Sequence, residues 1–379
     1  MDPFLRYATE KQAEIIDLIA GMVACESPSH SPDHVNRFVD LLIEKTSDIT
    51  TFERIHPEGH GDHLRLEFRL PGDAKRGQIL GVGHSDTVWP AGTLANMPFR
   101  EADGRLWGPG VLDMKAGLAF FIYAVRLLRD LKIPVARNVV LWIVSDEEIG
   151  SESSRAITEA EAKRSNVVFV VEPGTGPTGK IKTARKGVGV YTISIDGKAS
   201  HAGVDFSNGA SAIVEAARQI QSIAGFTDLT RGVTVNPGVI SGGTATNVIA
   251  AHAQIGVDMR VETLDDARAL DEKFHALKPA DPRCSIRIDG GLNRPPMERS
   301  PAIAALFGKA KQLASELGID LEESSTGGGS DGNFTAALGI PTLDGLGAVG
   351  EGAHAVNESI FIDRIADRTA LLAKLMANL

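Results

Sequence analysis

The sequence predicts an α/β fold: a central, mostly parallel sheet flanked by helices, with an inserted α+β domain of ferredoxin-like order. Three observations lead there. Over roughly the first 180 residues, short continuous apolar runs alternate with longer helical stretches, the pattern of strands buried on both faces. The middle of the chain switches to strands of alternating polarity in the order β-α-β-β-α-β. At 379 residues, the chain is also too long for one ordinary core.

The elements follow in order. "MDPFLRYATEKQAEIIDLIAGMVA" lacks a basic leader and is interrupted by acids, so it reads as an amphipathic helix and not a signal peptide. "TFERI" and "LRLEFRL" read as hairpin strands around "HPEGHGDH". "QILGVGHSDTV" (78–88), "NVVLWIVSDE" (138–147) and "NVVFVVEP" (166–173) read as buried strands, with "KAGLAFFIYAVRLLRDL" (115–131) as a buried helix between the first two. In the middle, "GVGVYTISIDGKAS" is a strand, 209–226 a helix, "VTVNPGVISGG" and "NVIAAHAQIGVDMRVE" strands, 264–278 a helix and 284–291 a strand. A helix at 301–317, the glycine-rich "SSTGGGSDGNFTAALGIP", the loop "GAHAVNE" and a helix at 360–377 complete the chain. The expected division is a catalytic domain built from 1–185 and 293–379, with 186–292 inserted as a lid or dimerisation domain.

Composition excludes some partners. Thirty-nine basic against 49 acidic side chains leave a net charge of −10, which disfavours nucleic acid and anionic membranes as partners. The only cysteines, Cys25 and Cys284, allow neither a disulfide framework nor a cysteine zinc site, and they suit a reducing, cytoplasmic compartment. No apolar run approaches the roughly 18 residues that span a membrane.

Histidines and acids recur at the C-terminal ends of the predicted strands: His84 with Asp86, Glu147 with Glu148, and Glu172. That edge of an α/β sheet is where ligands bind. Asp113 lies in a glycine-bounded turn opening a helix ("GPGVLDMKAG"), and His354 in a late loop. Such a set suits zinc, or less specifically manganese or cobalt. Singly, each residue has an ordinary reading, such as a helix cap for Asp113; their shared edge is what joins them. His84 and Asp86 are two apart, so in a strand they face the same way. Asp86 is therefore expected to accept the second ring N–H of His84 or to cap the next turn. His56, His60 and His63 of "HPEGHGDH" have spacings that suit a metal, but the segment reads as an exposed loop. In "SDEEIGS", Asp146 is expected to cap a helix.

The motifs "GHSDTVWP", "GPGVLDMKAG", "SDEEIGS", "VVEPG", "GKASHAG" and "GAHAVNE" occur in the order found in the co-catalytic di-zinc exopeptidases and deacylases. This resemblance covers nearly the whole chain. It takes in glutamate carboxypeptidases, aminoacylases, acetylornithine deacetylase and succinyl-diaminopimelate desuccinylase. "VLDMKAG" and "DEEIGSESSR" look closest to the glutamate carboxypeptidase branch. The resemblance implies two Zn2+ ions, with Co2+ or Mn2+ as substitutes. His84 and Glu172 would hold one ion, Glu148 and His354 the other, and Asp113 would bridge them. It implies a bridging hydroxide as nucleophile and Glu147 as general base. His201 would stabilise the oxyanion across a homodimer interface formed by the inserted domain, and Asn247 would reach the substrate.

The resemblance to the glutamate-cleaving relatives implies that Arg260 and Arg294 would bind a substrate carboxylate, and Lys180 would serve a second one. "TGGGSDGNF" lacks the ending of a phosphate loop; with Ser330 and Asp331 it is expected to shape the substrate pocket. The implied activity is a zinc-dependent metallocarboxypeptidase acting before a C-terminal glutamate or similar residue of a peptide, folate-like or N-acyl substrate. The alternative is an N-acyl amino acid deacylase or dipeptidase. An inactive binding relative usually lacks a ligand or the base, and none is missing here.

Overall fold

A computed structural model describes residues 1–379. The chain divides into two compact units. One comprises Met1–Ala184, Arg299–Ser325 and Ser330–Leu379; the other comprises Arg185–Glu298 with Thr326–Gly329.

The first unit is built on a six-stranded sheet. Its strands are β1 (Thr50–Ile55), β2 (His63–Phe68), β3 (Gln78–His84), β4 (Asn138–Val144) and β5 (Val167–Val170), and the order across the sheet is β1-β2-β4-β3-β5, closed by Thr342–Leu343. β1 and β2 pair antiparallel and β2 meets β4 antiparallel, whereas β4, β3, β5 and Thr342–Leu343 are mutually parallel. The sheet is mostly parallel, as the continuous apolar runs predict. Along β3 and β4 successive side chains enter different cores. Ile79, Val139, Leu141 and Ile143 join one cluster; Leu80, Val82, Val140, Trp142 and Val144 join another. Both faces are covered, which is why neither strand alternates apolar with polar.

Helices α1 (Pro3–Glu10), α2 (Gln12–Ala24), α4 (Ala116–Asp130) and α10 (Ile365–Ala377) contribute to the larger core, and α3 (Pro32–Thr46) adds Val35, Phe38, Val39 and Leu42. The N-terminal helix expected as one piece is broken at Lys11, and both pieces still turn apolar residues inward (Ala8; Ile15, Ile19, Met22, Val23). The last helix begins at Ile365, later than expected, because Ser359–Phe361 pairs as a strand with Arg105–Trp107 and buries Ile360. No helix is long and apolar enough to cross a membrane.

The second unit carries an antiparallel sheet of β6 (Gly187–Asp196), β7 (Thr234–Gly242), β8 (His252–Val261) and β9 (Ser285–Arg294), ordered β7-β8-β6-β9. Alternate residues Tyr191, Ile193 and Ile195 of β6 pack with Ala212, Ala216 and Ile223 of α6 (Ala212–Ala224) and Ala267, Leu270 and Phe274 of α7 (Leu264–His275). Tyr191 stacks on Phe274 with ring centroids 3.9 Å apart. Two helices on one sheet face and this strand order are the ferredoxin-like arrangement.

Arg368 of α10 is fully buried and fixes two turns of the first unit. It donates to the carbonyls of Gly347 and Gly179, each at 2.9 Å, and to that of Gly345. Burial pulls its pKa down to about 10, so the guanidinium stays charged at neutral pH. Arg368→Met would strand three buried carbonyls. The expected loss is about 3–5 kcal/mol, read as a lower urea midpoint at unchanged slope; a loss under about 1 kcal/mol would contradict this role.

Candidate metal centre

Parallel pairing sets the C-terminal ends of β3, β4 and β5 side by side. β3 ends on His84, and β5 runs through Val171 into Glu172. β4 passes through Ser145 and Asp146 into one 3-10 turn, Glu147–Ile149. Asp113 lies in the turn Val111–Lys115 ahead of α4, entered through Gly110 in a left-handed conformation (φ 71°). The start of α4 comes close to the end of β5: a Cβ on Gly117 would lie 2.0 Å from the Val171 carbonyl oxygen, so only glycine fits there. His354 follows the short strand Gly350–Glu351 and itself has a positive φ of 62°.

These elements gather two sets of three side chains, His84, Asp113 and Glu172, and Asp113, Glu148 and His354; within each set one donor atom per residue lies within 4.8 Å of the others. The two oxygens of Asp113 face different ways. Oδ1 lies 3.1 Å from His84 Nε2, which is 3.7 Å from Glu172 Oε1. Oδ2 lies 3.3 Å from His354 Nε2, which is 3.2 Å from Glu148 Oε2. Tetrahedral donors about 2.0–2.1 Å from a zinc ion are separated by about 3.3 Å, so both sets have the span of a cation's donor shell. Glu148 Oε1 is buried without a hydrogen-bond partner, a cost that a cation would remove. The donor chemistry, imidazole nitrogen and carboxylate oxygen, fits the ions named from the sequence.

The electrostatics agree. Although burial opposes charge on it, His84 is held well above the ordinary histidine pKa by the carboxylates of Asp113 and Asp86. Hydrogen bonds to Asp113 and Glu148 raise His354 to about 10. The same two histidines keep the partly buried Asp113 ionised, far below the usual carboxylate range. In the metal-free protein, these histidine protons balance part of the acid cluster.

Asp86 faces both His84 and the glutamate pair. The ring Nδ1 of His84 is 2.9 Å from the Asp86 main-chain carbonyl, and the Asp86 carboxylate is farther, at 3.5 Å. The strand ends at His84, yet the Asp86 carboxylate stays close enough to help keep the His84 ring protonated. The carboxylate also accepts from Ser29 Oγ at 2.8 Å and from the main-chain N–H groups of Glu147 and Glu148, both at 3.3 Å. Asp86 thus holds the backbone of the glutamate pair. Asp146 caps the turn ahead of α5 (Arg155–Lys163), accepting from Ser153 N at 2.8 Å, Ser153 Oγ at 2.7 Å and Ser154 N at 3.3 Å.

The histidine-rich segment does not form a rival site. His56 is exposed and pairs with Asp62, while His63 is buried in β2 beside Ser145, not in an exposed loop. Lys180 pairs with Glu322 at 3.0 Å. Ser330 is fully buried, donating to Asp344 at 2.6 Å and accepting from Gly332 N at 3.1 Å.

His201, Asn247, Arg260 and Arg294 belong to the second unit. His201 is exposed, and its Nδ1 accepts from Gly203 N and Val204 N. The neutral ring therefore carries its proton on Nε2 and presents a donor. The carbonyl of Asn247 accepts from Ala202 N at 2.9 Å. Arg260 is engaged by Asp258 through Nε and Nη2, and Arg294 is buried beside Asn293.

Two residues that touch this machinery escaped the sequence reading: Ser29, whose type carries no signal, and Glu358, the last letter of "GAHAVNE".

Comparison with known proteins places these features in a family. The model of peptidase family M20/M25/M40 matches residues 81–378. Carboxypeptidase G2 of Pseudomonas sp. (strain RS-16) is 30% identical over 98% of this chain and 91% of its own length. Succinyl-diaminopimelate desuccinylase of Psychrobacter arcticus is 28% identical over 97% of this chain and 95% of its own. The crystal structure of the aminopeptidase PepT from Bacillus cereus superposes with a TM-score of 0.79 at 24% identity, covering 97% of this chain and 98% of that one, and shares the fold.

A ligating imidazole nitrogen must be unprotonated. With both histidines raised, ion uptake at pH 7 is expected to release about two protons per chain. Calorimetric titration of metal-free protein with Zn2+, in buffers of different ionisation enthalpy, reads this as a buffer-dependent apparent enthalpy. A buffer-independent enthalpy would contradict it.

Proposed function

The chain belongs to peptidase family M20/M25/M40, and we propose that it is a zinc-dependent carboxypeptidase. It would hydrolyse the amide bond before a C-terminal glutamate or similar residue of a peptide, folate-like or N-acyl substrate. Family membership itself makes the chain a hydrolase of peptide or amide bonds. The observation that supports the two-ion reading is the double facing of Asp113, Oδ1 toward His84 and Oδ2 toward His354.

In this reading, His84 and Glu172 hold one ion, Glu148 and His354 the other, and Asp113 both. When bound, two divalent ions supply Lewis acidity, polarising the scissile carbonyl and making water acidic enough to attack. Glu147 belongs to neither donor set, and its backbone is held by Asp86 next to the ligand Glu148. It would accept a proton from the attacking water and return it to the leaving amine nitrogen. His201, with Nε2–H free of the contacts made by Nδ1, would donate to the oxygen that gains charge as the carbonyl becomes tetrahedral.

The acidic leaving residue rests on similarity to carboxypeptidase G2 along nearly the whole chain. Arg260 and Lys180 would have to exchange Asp258 and Glu322 for a substrate carboxylate. A second reading, an N-acyl amino acid or diamine deacylase, is favoured by the desuccinylase relative of similar coverage. We also propose a homodimer formed through the second unit, supported by edge strand β7 with Val239 and Ile240 exposed.

Glu147→Gln is expected to lower kcat about 10²–10⁴-fold while leaving zinc content unchanged; activity near wild type would remove Glu147 as the base. Across N-acyl-glutamate, N-acyl-ornithine and N-succinyl-diaminopimelate, the highest kcat/KM is expected for the glutamate. A preference for either of the others would favour the second reading.

A further inference from the structure

We infer that Glu358 is a positioning residue that sets the place of Asp113 by tying together the three segments carrying His84, Asp113 and His354. The inference rests on Asp113 being the shared ligand. Glu358 lies four residues after His354 and is completely buried. A carboxylate in that position is costly unless every lone pair is used.

Its partners account for both oxygens. Oε1 accepts from the main-chain N–H of Leu112 at 2.8 Å and of Asp113 at 3.1 Å. Oε2 accepts from the N–H of Gly110 at 2.9 Å and from Trp89 Nε1 at 2.8 Å. Three of the four donors belong to the turn that carries Asp113, and one of them is Asp113's own amide. The fourth comes from the segment that leaves His84, and the carboxylate itself comes from the segment that leaves His354.

The amides of the turn converge on one anion, so the turn has its shape only while that anion is present. Side-chain placement follows, because the Asp113 carboxylate is separated from its held amide only by Cα and Cβ. An error in that placement would reach both donor sets, since Asp113 belongs to each. A glutamine would not substitute: its amide NH2 would face N–H donors, leaving at least one of them buried and unpaired.

The test compares wild type with Glu358→Gln, each stripped of metal and titrated with Zn2+ against a chromophoric chelator. Hydrogen exchange of the segment 108–117 is followed in the metal-free proteins. The expected result is a loss of zinc affinity of about 10–100-fold at both sites, with faster exchange at Gly110, Leu112 and Asp113. Phe274→Leu, which loosens the core of the second unit, is expected to keep the affinity of whatever fraction remains folded.

Should Glu358→Gln fail to fold, Trp89→Phe removes one of the four bonds and leaves the carboxylate in place. A loss of about fivefold is expected for it. Wild-type affinity and exchange in Glu358→Gln, or wild-type affinity in Trp89→Phe when only that variant folds, would overturn the inference. Absence of zinc binding by wild type would overturn the two-ion reading itself, a different failure.

Discussion

Too much negative charge is gathered at one edge of the sheet for the edge to exist without compensation. Asp113, Glu148 and Glu172 converge within a few ångströms, with Asp86 and Glu147 beside them. At an effective dielectric near 20, two like charges 4 Å apart repel by about 4 kcal/mol. Two histidines, His84 and His354, sit among these acids and keep their protons far above the usual pH. That buffering is partial, and Glu148 Oε1 still has no partner. A cation at each donor set would complete it. The parallel strands matter because they bring the ends of β3, β4 and β5 to this one place.

The acids divide into two groups by what they accept. Asp113, Glu148 and Glu172 face imidazoles. Asp86, Asp146 and Glu358 face main-chain N–H groups, and each fixes a turn: Asp86 the glutamate pair, Asp146 the entry to α5, Glu358 the turn of Asp113. The consecutive acids of "SDEEIGS" therefore do different work. Asp146 caps, Glu148 faces His354, and Glu147 belongs to neither donor set. Main-chain amides hold an anion without adding a formal positive charge, so the turns are rigid while the centre keeps its demand for cations.

Much of this was legible in the sequence. Uninterrupted apolar runs signalled strands buried on both faces, and Ile79 and Leu80 entering different cores are the reason the runs do not alternate. The residues singled out at strand ends come together because strand ends in a parallel sheet must. The misses have physical causes. His63 was placed in an exposed loop because its neighbours are polar and glycine-rich; cross-strand pairing with β1 draws it inside. Glu358 contacts residues about 245 positions earlier, a separation that no local pattern encodes.

Asp113 standing between two ions is the central claim, and anomalous diffraction from zinc-loaded crystals at the zinc edge tests it most directly. Two peaks are predicted, one flanked by His84 and Glu172 and the other by Glu148 and His354, with an Asp113 oxygen at each. A single peak, or two peaks that do not share Asp113, would contradict it.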